Sequence, residues 1–308
     1  MSSLNSDKTI SEIAAAAKAL EQEYDEKIPP TGYVIIRIDG RAFHTLTKDM
    51  DKPFDSMFVE AMDRAALTAL NEMDAVLAYV QSDEITVVLS PCGRRQDSLP
   101  FNGRVEKLTT LAASAATTGF VSAYAVALMN VFAEAAIDSF QHRGDPSYDV
   151  GDEAVKRVGK VIDAAPTFDA RAIHVDSLSD VADNLLWRRV DCRKNAVSSM
   201  AVSEFSARGL HGKSTMERWQ MLADAHGGDY KINDGLYWGR LHYKETVIVE
   251  DEEYGEVTRR VTKTVAATKE NADMVLSALE AEVEACLAAR ESPSWDDAAL
   301  PPSADDDL

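Results

Sequence analysis

Cysteine is scarce in this chain, which has three among 308 residues: Cys92, Cys192 and Cys286. They lie far apart without metal-ligand spacing, and an odd, scattered set argues against a disulfide framework. The amino end has no basic start followed by an apolar stretch, so it predicts no secretory signal. Together these absences favour a protein of the reducing cytoplasm.

Long apolar runs are also lacking, and basic residues are few relative to acidic ones. Charged or small residues interrupt each apolar stretch before it reaches membrane-spanning length, so we expect no membrane association. The chain has 32 lysine and arginine residues against 52 acidic ones, a formal net charge of −20. Enzymes that act on nucleic acids usually present a basic surface, so this charge argues against a large nucleic-acid footprint but leaves nucleotide binding with Mg²⁺ open. A local basic cluster is nevertheless present at Arg188, Arg189, Arg193 and Lys194.

The hydrophobic residues, 45% of the chain, suffice for one large domain or for a core domain with additions. Between residues 31 and 176 their periodicity predicts the order strand, helix, strand, strand, helix, strand. The strands are expected at 33–39, 75–80, 85–89 and 167–175, and the helices at 55–72 and 101–120. This is the order of a split βαββαβ, ferredoxin-like arrangement, and hence of an α+β fold.

The predicted catalytic domain has additions on both sides. A capping box at Thr9 and Glu12 begins a helix near the amino end, and strands at 236–249 and 257–265 are expected to pair as a C-terminal β-hairpin. The expected division is an N-terminal helix (1–30), a palm-like catalytic domain (31–176) with a possible insertion (120–165), a helical and hairpin extension (177–290), and an acidic disordered tail (291–308).

Two features place carboxylates at the same edge of this predicted sheet. Asp39 ends the first strand, and Asp83 and Glu84 lie in the hairpin between the second and third strands. The first strand lies beside the third in a ferredoxin-like sheet, so these side chains should come close together. Mg²⁺ prefers a few carboxylates together with substrate phosphates, and Gly40 lets the following backbone turn closely toward a metal or a phosphate. Acidic turns are also common at solvated hairpin tips, and the pattern alone leaves that ordinary interpretation open.

The order of several short motifs resembles the tRNA-histidine guanylyltransferase family and its 3′–5′ polymerase relatives. The matching blocks are Arg-Ile-Asp-Gly-Arg-Ala-Phe-His at 37–44, Lys-Pro at 52–53, Gln-Ser-Asp-Glu at 81–84, single positions at Phe101, Arg104, Lys107 and Ser114, Pro-Thr-Phe-Asp-Ala-Arg at 166–171, and Trp-Arg-Arg-Val-Asp-Cys at 187–192. Each block is modest, but the ordered set spans roughly residues 33 to 243 and is specific.

The resemblance implies a polymerase palm that adds nucleotides to the 5′ end of an RNA, usually a tRNA. In that family Asp39 and Asp83 would hold two Mg²⁺ ions, assisted by the Gly40 carbonyl and by Glu84. The backbone of Arg41, Ala42, Phe43 and His44 would form a cradle for phosphates. The resemblance also implies GTP and ATP as substrates, and a homodimer or homotetramer across which tRNA binds.

Further basic and polar positions match family positions that bind the nucleotide or the RNA. The predicted nucleotide- and phosphate-binding side chains are Lys52, Ser82, Arg104, Lys107 and Ser114. The predicted contacts of the RNA 5′ end are Arg171, Arg188, Arg193 and Asn195.

One motif departs from the guanylyltransferase pattern Asp-x-His-Ile-Asn-Asn. Residues 191–196 read Asp-Cys-Arg-Lys-Asn-Ala, so Arg193 and Ala196 replace the histidine and the second asparagine, while Asn195 keeps the first. Arginine offers a fixed fork of donors suited to phosphate in place of a titratable ring. The change is similar to the guanylyltransferase-like branch, which repairs truncated 5′ ends by copying a template strand.

Two other functions fit the same carboxylate pattern. A palm-type nucleotide cyclase, or another small-molecule nucleotidyltransferase, would use Asp39 and Asp83 without RNA, and the acidic composition suits it. The hairpin lacks the Gly-Gly-Asp-Glu-Phe pattern of diguanylate cyclases. A nucleotide- or RNA-binding protein without catalysis is the second alternative, and the presence of both carboxylates argues against it.

Overall fold

The computed structural model of this chain describes residues 8–92, 99–141, 152–228, 230–251 and 254–291. Within these ranges one antiparallel sheet contains β1 (Tyr33–Gly40), β2 (Leu77–Gln81), β3 (Glu84–Leu89), β4 (Phe168–Val175), β5 (Arg240–Asp251) and β6 (Gly255–Ala266). The strand order is β4-β1-β3-β2-β5-β6. Its first four positions are those of the split βαββαβ motif, which confirms the predicted α+β, palm-like class.

Helices account for most of the remaining described chain. They are α1 (Ile10–Glu23), α2 (Phe43–Leu46), α3 (Ser56–Glu72), α4 (Val105–Gln141), α5 (Asp152–Asp163), α6 (Leu178–Glu204), α7 (Ala207–Leu210), α8 (Thr215–Ala225), α9 (Asp234–Tyr237) and α10 (Lys269–Glu291). The predicted capping box is confirmed, because Thr9 and Glu12 each bind the other's backbone amide at the start of α1.

Both faces of the sheet are covered, which is why most residues of the central strands are apolar. On one face α3 and α4 pack around four aromatic rings, whose centroids lie 4.9 to 6.1 Å apart. These rings belong to Phe43, Phe58, Phe120 and Phe168. On the other face α6 and α10 cover a second cluster that includes Ile35, Leu77, Tyr79, Leu185 and Leu279.

Helix α4 differs from its prediction in extent and in character. It begins at Val105 instead of residue 101, because Phe101 and Asn102 adopt left-handed backbone angles (φ 56° and 57°) in a preceding 3₁₀ turn. The stretch Val105–Ala127 is long and apolar enough to cross a membrane, which corrects the expectation that no run approaches that length. Its inner face, with Leu108, Ala112, Ala116 and Phe120, packs in the core of the fold.

The C-terminal hairpin extends the catalytic sheet. Strand β5 pairs with β2 through Leu77 and Tyr243, so the predicted extension 177–290 completes the sheet that begins in residues 31–176. The hairpin starts at Arg240 and not at residue 236, because Asp234–Tyr237 forms a short helix. Within the possible insertion 120–165, α4 and α5 are helical, while residues 142–151 and most of the predicted acidic tail, from residue 292, lie outside the described residues.

Candidate active site

Asp39 and Asp83 lie together at one edge of the sheet, as the predicted topology requires. Asp39 is opposite Glu84 in the register of β1 and β3, and the Gly40 amide donates a hydrogen bond of 2.9 Å to the Asp83 carbonyl. Asp83 and Ser82 form a two-residue turn between β2 and β3, with Ser82 at φ 46°. A non-glycine residue at positive φ is uncommon and stores backbone strain, a feature often found at functional sites.

The electrostatics of this edge suit a divalent cation. Burial raises the pKa of Asp39, the Asp83 carboxylate raises it further, and the Arg37 guanidinium opposes both. No group of three or more His, Cys, Asp or Glu side chains in the described ranges could hold a metal ion. Two carboxylates beside a backbone carbonyl could bind Mg²⁺ if a substrate or water supplied the remaining oxygen ligands.

Glu84 points to the same face as Asp39 but is held by an arginine. Arg188 donates from Nε to Oε1 (2.5 Å) and from Nη2 to Oε2 (2.8 Å), and also reaches Asp191 (3.0 Å). The side chains of Glu84 and Arg188 are only 8% and 7% exposed. Both Glu84 oxygens are thus occupied, and the Arg188 side chain is buried. In this structure the pair is a buried ion pair, and the roles of Glu84 in metal binding and of Arg188 in RNA binding stay predictions.

A cavity of about 140 Å³, here called the edge cavity, opens beside the Ser82–Asp83 turn. Of the predicted nucleotide-binding side chains, Lys52 and Ser82 line it. Asn195, predicted as an RNA contact, lines the same cavity from α6. Its apolar walls include Met50, Pro53, Phe54, Phe58, Ala196 and Leu236. The edge cavity therefore offers an apolar slot next to the carboxylate pair and a lysine at its rim.

The turn that follows Asp39 has an exposed backbone and one anchored side chain, that of Phe43. The Arg41 amide donates to the Thr167 carbonyl (2.9 Å), and Ala42 adopts a left-handed conformation (φ 58°). Arg41, Ala42 and His44 are exposed, whereas Phe43 is buried among the aromatic rings of the core. Phe43 therefore fixes the turn and does not itself face a ligand. Because the Arg41 amide is paired with Thr167, the predicted phosphate cradle is left with the backbone amides of residues 42–44.

Gly40→Ala is expected to destabilise the fold by about 1–3 kcal/mol, because overpacking forces neighbouring groups to move. A Cβ at Gly40 would lie 2.5 Å from Cγ of Phe43, which anchors the turn. Denaturant unfolding would measure the loss. Gly159→Ala is the matched control, since a Cβ there meets nothing within 4 Å and should be neutral or slightly stabilising in α5. Equal stability of the two variants would contradict the anchoring role of Phe43.

Two predicted phosphate-binding residues lie away from this edge. Leu89 pairs with Val34, so β3 delivers the chain to the opposite end of the sheet, where α4 begins. There Arg104 donates from Nε to Asp25 (2.6 Å), and Lys107 is exposed on the first turn of α4. Ser114 is exposed further along α4, one turn before Thr117, whose hydroxyl accepts from the Phe168 amide. The phosphate-binding role of all three residues stays a prediction.

The remaining basic candidates flank the site. Arg171 is exposed on β4, with Nη2 3.8 Å from Asp169, the residue opposite Asp39 in the β1–β4 register. The Arg193 guanidinium lies 5.8 and 5.9 Å from the ring centroids of Tyr237 and Trp238. Trp187 is 55% exposed because it lies on the outer side of α6. Arg171 and Arg193 thus keep positive charge near the carboxylate edge.

Gln81 and Arg240 are among the polar residues of the edge cavity to which the sequence interpretation assigned no role. Strand alternation could have identified Gln81, which ends β2 immediately before the motif serine. Arg240 gives no local signal, because its carboxylate partner Asp63 is 177 positions away in the chain (Nε to Oδ1, 2.6 Å).

Comparison with known proteins gives consistent matches to one family. Residues 15–176 match the profile of the family described as Thg1: tRNAHis guanylyltransferase. The tRNA(His) guanylyltransferase of Schizosaccharomyces pombe is 26% identical over 268 residues, covering 82% of this chain and 86% of that protein. The uncharacterized protein R259 of Acanthamoeba polyphaga mimivirus is 28% identical over 242 residues, covering 73% and 71% respectively.

Solved structures agree with these sequence matches. A bacterial tRNA(His) guanylyltransferase (Thg1)-like protein in complex with ATP superposes with a TM-score of 0.59 at 25% identity, over 82% of this chain and 91% of that one. The tRNA(His) guanylyltransferase of Saccharomyces cerevisiae shares the fold, with a TM-score of 0.52 at 22% identity over 78% and 94% of the two chains. Since the family profile covers more than half of the residues, the chain belongs to the tRNA-histidine guanylyltransferase family of nucleotidyltransferases.

Proposed function

We propose that this protein adds nucleotides to the 5′ end of a tRNA or another RNA, in the 3′–5′ direction and with Mg²⁺. The observation that carries the proposal is the Asp39–Asp83 pair, which lies directly beside a cavity with apolar walls. Family membership supports it, as do the relatives named tRNA(His) guanylyltransferase and the bacterial Thg1-like proteins solved with ATP and with GTP. GTP and ATP are therefore the nucleotides that we propose first.

Asp39 and Asp83 are the residues that would hold two Mg²⁺ ions, with the Gly40 carbonyl as a further oxygen ligand. Burial, and after it the Asp83 carboxylate, raises the pKa of Asp39, which supports a cation at this edge. When bound, Mg²⁺ would neutralise charge on the reacting phosphates and lower the pKa of the attacking hydroxyl. Glu84, through its ion pair with Arg188, would stabilise the Ser82–Asp83 turn.

The side chains around the carboxylate pair suit the binding of the nucleoside triphosphate and of the RNA end. We place the nucleoside triphosphate in the edge cavity, with Lys52 and the backbone of residues 42–44 neutralising its phosphates. A 5′-monophosphate RNA end is first activated when its phosphate attacks the α-phosphate of ATP or GTP, which joins a nucleoside monophosphate to the RNA end and releases pyrophosphate. The 3′-hydroxyl of the incoming nucleotide then attacks the activated 5′ phosphate, releasing a nucleoside monophosphate, or pyrophosphate where the RNA begins with a triphosphate. Arg171 and Arg193 are the proposed contacts of the RNA end.

We further propose that addition copies a template strand, as in 5′-end repair. The residues that depart from the guanylyltransferase motif are close to the proposed nucleotide: Ala196 lines the edge cavity, and Arg193 lies beside Tyr237 and Trp238. An alanine offers no polar group with which to select guanine. Base pairing with a template would then supply the selection.

A homodimer or homotetramer is the proposed assembly, in the cytoplasm. Helix α1 has no buried residue, and α4 exposes Val126, Met129 and Ile137 by 51%, 69% and 60%. Helices α1 and α4 present apolar side chains to solvent, and these side chains support association with a second copy.

A tRNA lacking its 5′-terminal nucleotide tests the proposal. We expect the protein to extend it with labelled nucleotides that match the template, in Mg²⁺ and not in EDTA, with the monophosphate end requiring ATP or GTP. Release of pyrophosphate from nucleotides without RNA would instead indicate a cyclase or another small-molecule nucleotidyltransferase. Nucleotide binding without any turnover would indicate a binding protein. Addition of G to full-length tRNA-histidine opposite no template base would contradict template-directed repair.

A further inference from the structure

Gln81 is a buried polar side chain that lacks a hydrogen-bond partner. It is 2% exposed, and its Oε1 makes no hydrogen bond within the described chain. Tyr79, on the same face of β2, has a satisfied hydroxyl that donates to the Trp238 carbonyl (2.9 Å). A buried amide oxygen without a partner costs folding free energy, and such groups in native proteins call for an explanation. Gln81 is therefore a candidate for a ligand contact.

The position of Gln81 indicates which part of a ligand it meets. It lines the edge cavity at the end of β2, one residue before Ser82 and two before Asp83. The wall around it includes the apolar side chains of Phe54, Leu236 and Ala196. Phosphates and ribose favour charge and water, whereas a nucleobase has apolar faces and a polar edge. The edge cavity is also lined by polar side chains, those of Thr47, Asp51, Lys52, Asp55, Ser82, Asn195, Ser199 and Arg240. Its apolar side chains beside the buried Gln81 amide suit the faces and the polar edge of a nucleobase.

A second polar group of the edge cavity is held rigidly. Arg240 donates from Nε to Asp63 (2.6 Å) and from Nη1 to the Gly235 carbonyl (3.3 Å). Asp63 is in turn fixed by His242, whose Nε2 lies 3.0 Å from the same carboxylate oxygen and whose Nδ1 lies 2.8 Å from the Thr264 hydroxyl. Arg240 is therefore a fixed donor at the cavity, in contrast to the unpaired amide of Gln81.

We propose that the Gln81 amide recognises the nucleobase of the bound nucleoside triphosphate, beside Arg240 as a fixed donor. The inference rests on the proposed function and deepens it. A glutamine amide both accepts and donates hydrogen bonds, and each of the four bases presents both kinds of group on its edge. The amide can therefore contact each of the four bases when a nucleoside triphosphate binds without a template.

Gln81→Met keeps the length of the side chain and removes its polar group. We expect it to bind ATP, GTP, CTP and UTP each about three- to tenfold more weakly, the usual effect of losing one hydrogen bond. Its affinity for inorganic tripolyphosphate should not change, because the phosphate contacts remain. Calorimetric titration in Mg²⁺ measures both. Thermal unfolding should show no loss of stability, since an unsatisfied buried group is removed, and Gln81→Leu serves as a second variant.

Thr86→Val is the matched control. Thr86 is 1% exposed, lies on adjacent β3, has an unsatisfied hydroxyl and does not line the edge cavity, so nucleotide affinity should stay at the wild-type value. Wild-type affinity in Gln81→Met would overturn the inference, as would a parallel loss of tripolyphosphate binding. A loss for GTP without a loss for dGTP would overturn it too, because the amide would then contact the ribose 2′-hydroxyl. Absence of nucleotide binding by the wild type would instead overturn the proposed function.

Discussion

Asp39→Asn is expected to lower nucleotide transfer by about 10³-fold or more while the protein remains folded. The substitution removes a carboxylate charge from the place where the phosphates react, and lost electrostatic stabilisation of a transition state has effects of this size. It keeps the shape of the side chain and leaves the Gly40–Asp83 hydrogen bond between the two turns intact. Single-turnover extension of the truncated tRNA would measure the loss.

The same variant should be slightly more stable than the wild type in EDTA. The folded-state pKa of Asp39 lies above its ordinary value, so the folded chain holds that proton more tightly than the unfolded chain. The stability that protonated Asp39 contributes is fully present below the ordinary pKa and is lost as the pH rises through the folded pKa. Asp39→Asn removes that pH dependence and the repulsion by Asp83.

A carboxylate at the opposite end of the sheet supplies the control. Asp176 follows β4, its side chain is 96% exposed, and Asp176→Asn should retain wild-type turnover. Turnover close to the wild-type value in Asp39→Asn would exclude the carboxylate pair as the centre of the reaction. Marked unfolding of Asp39→Asn in EDTA would show that the carboxylate has a structural partner.

The position of the carboxylate pair could be predicted from sequence because it depends on local signals and one rule of topology. The Val- and Ile-rich stretches around Ile36 and Val87 indicate strands, and the turn residues between β2 and β3 fix the hairpin. Once the βαββαβ order is recognised, β1 must lie beside β3, and Asp39 must approach Asp83. No long-range side-chain contact is needed for this inference.

The roles of Arg188 and Arg240 could not be predicted, because their partners are distant in the chain. Glu84 is 104 positions from Arg188, and Asp63 is 177 positions from Arg240. A run of basic residues at 188–194 indicates an RNA-binding surface when it is read along the chain. On helix α6, however, Arg188 faces the sheet while Trp187 faces solvent. Which side of a helix is covered depends on the packing of the whole fold.

The Arg188→Met variant is expected to lose about 3 kcal/mol of unfolding free energy, the lower end of the usual cost of breaking a buried ion pair, because the Arg37 Nε remains 3.6 Å from Glu84. Arg188 makes two hydrogen bonds to Glu84, which is 7% exposed and cannot recover its lost hydration. Denaturant titration at neutral pH would measure the loss. Asp191→Asn is the control: its carboxylate is more exposed (38%) and accepts one of the arginine's bonds, so about 1 kcal/mol or less should be lost.

The pH dependence of Arg188→Met separates an uncompensated charge from a loss of packing. Burial raises the folded-state pKa of Glu84, and the attraction of Arg188 opposes that rise, so removing Arg188 should raise the pKa further. A folded pKa above the unfolded one makes the ionised form destabilising, and that destabilisation is relieved as the pH falls through the folded pKa. The loss of unfolding free energy in Arg188→Met should therefore become smaller as the pH is lowered from neutral. The double variant with Glu84→Gln should recover most of that loss at pH 7. A deficit independent of pH, unrelieved by Glu84→Gln, would mean that Arg188 stabilises α6 through its packing and not through its charge.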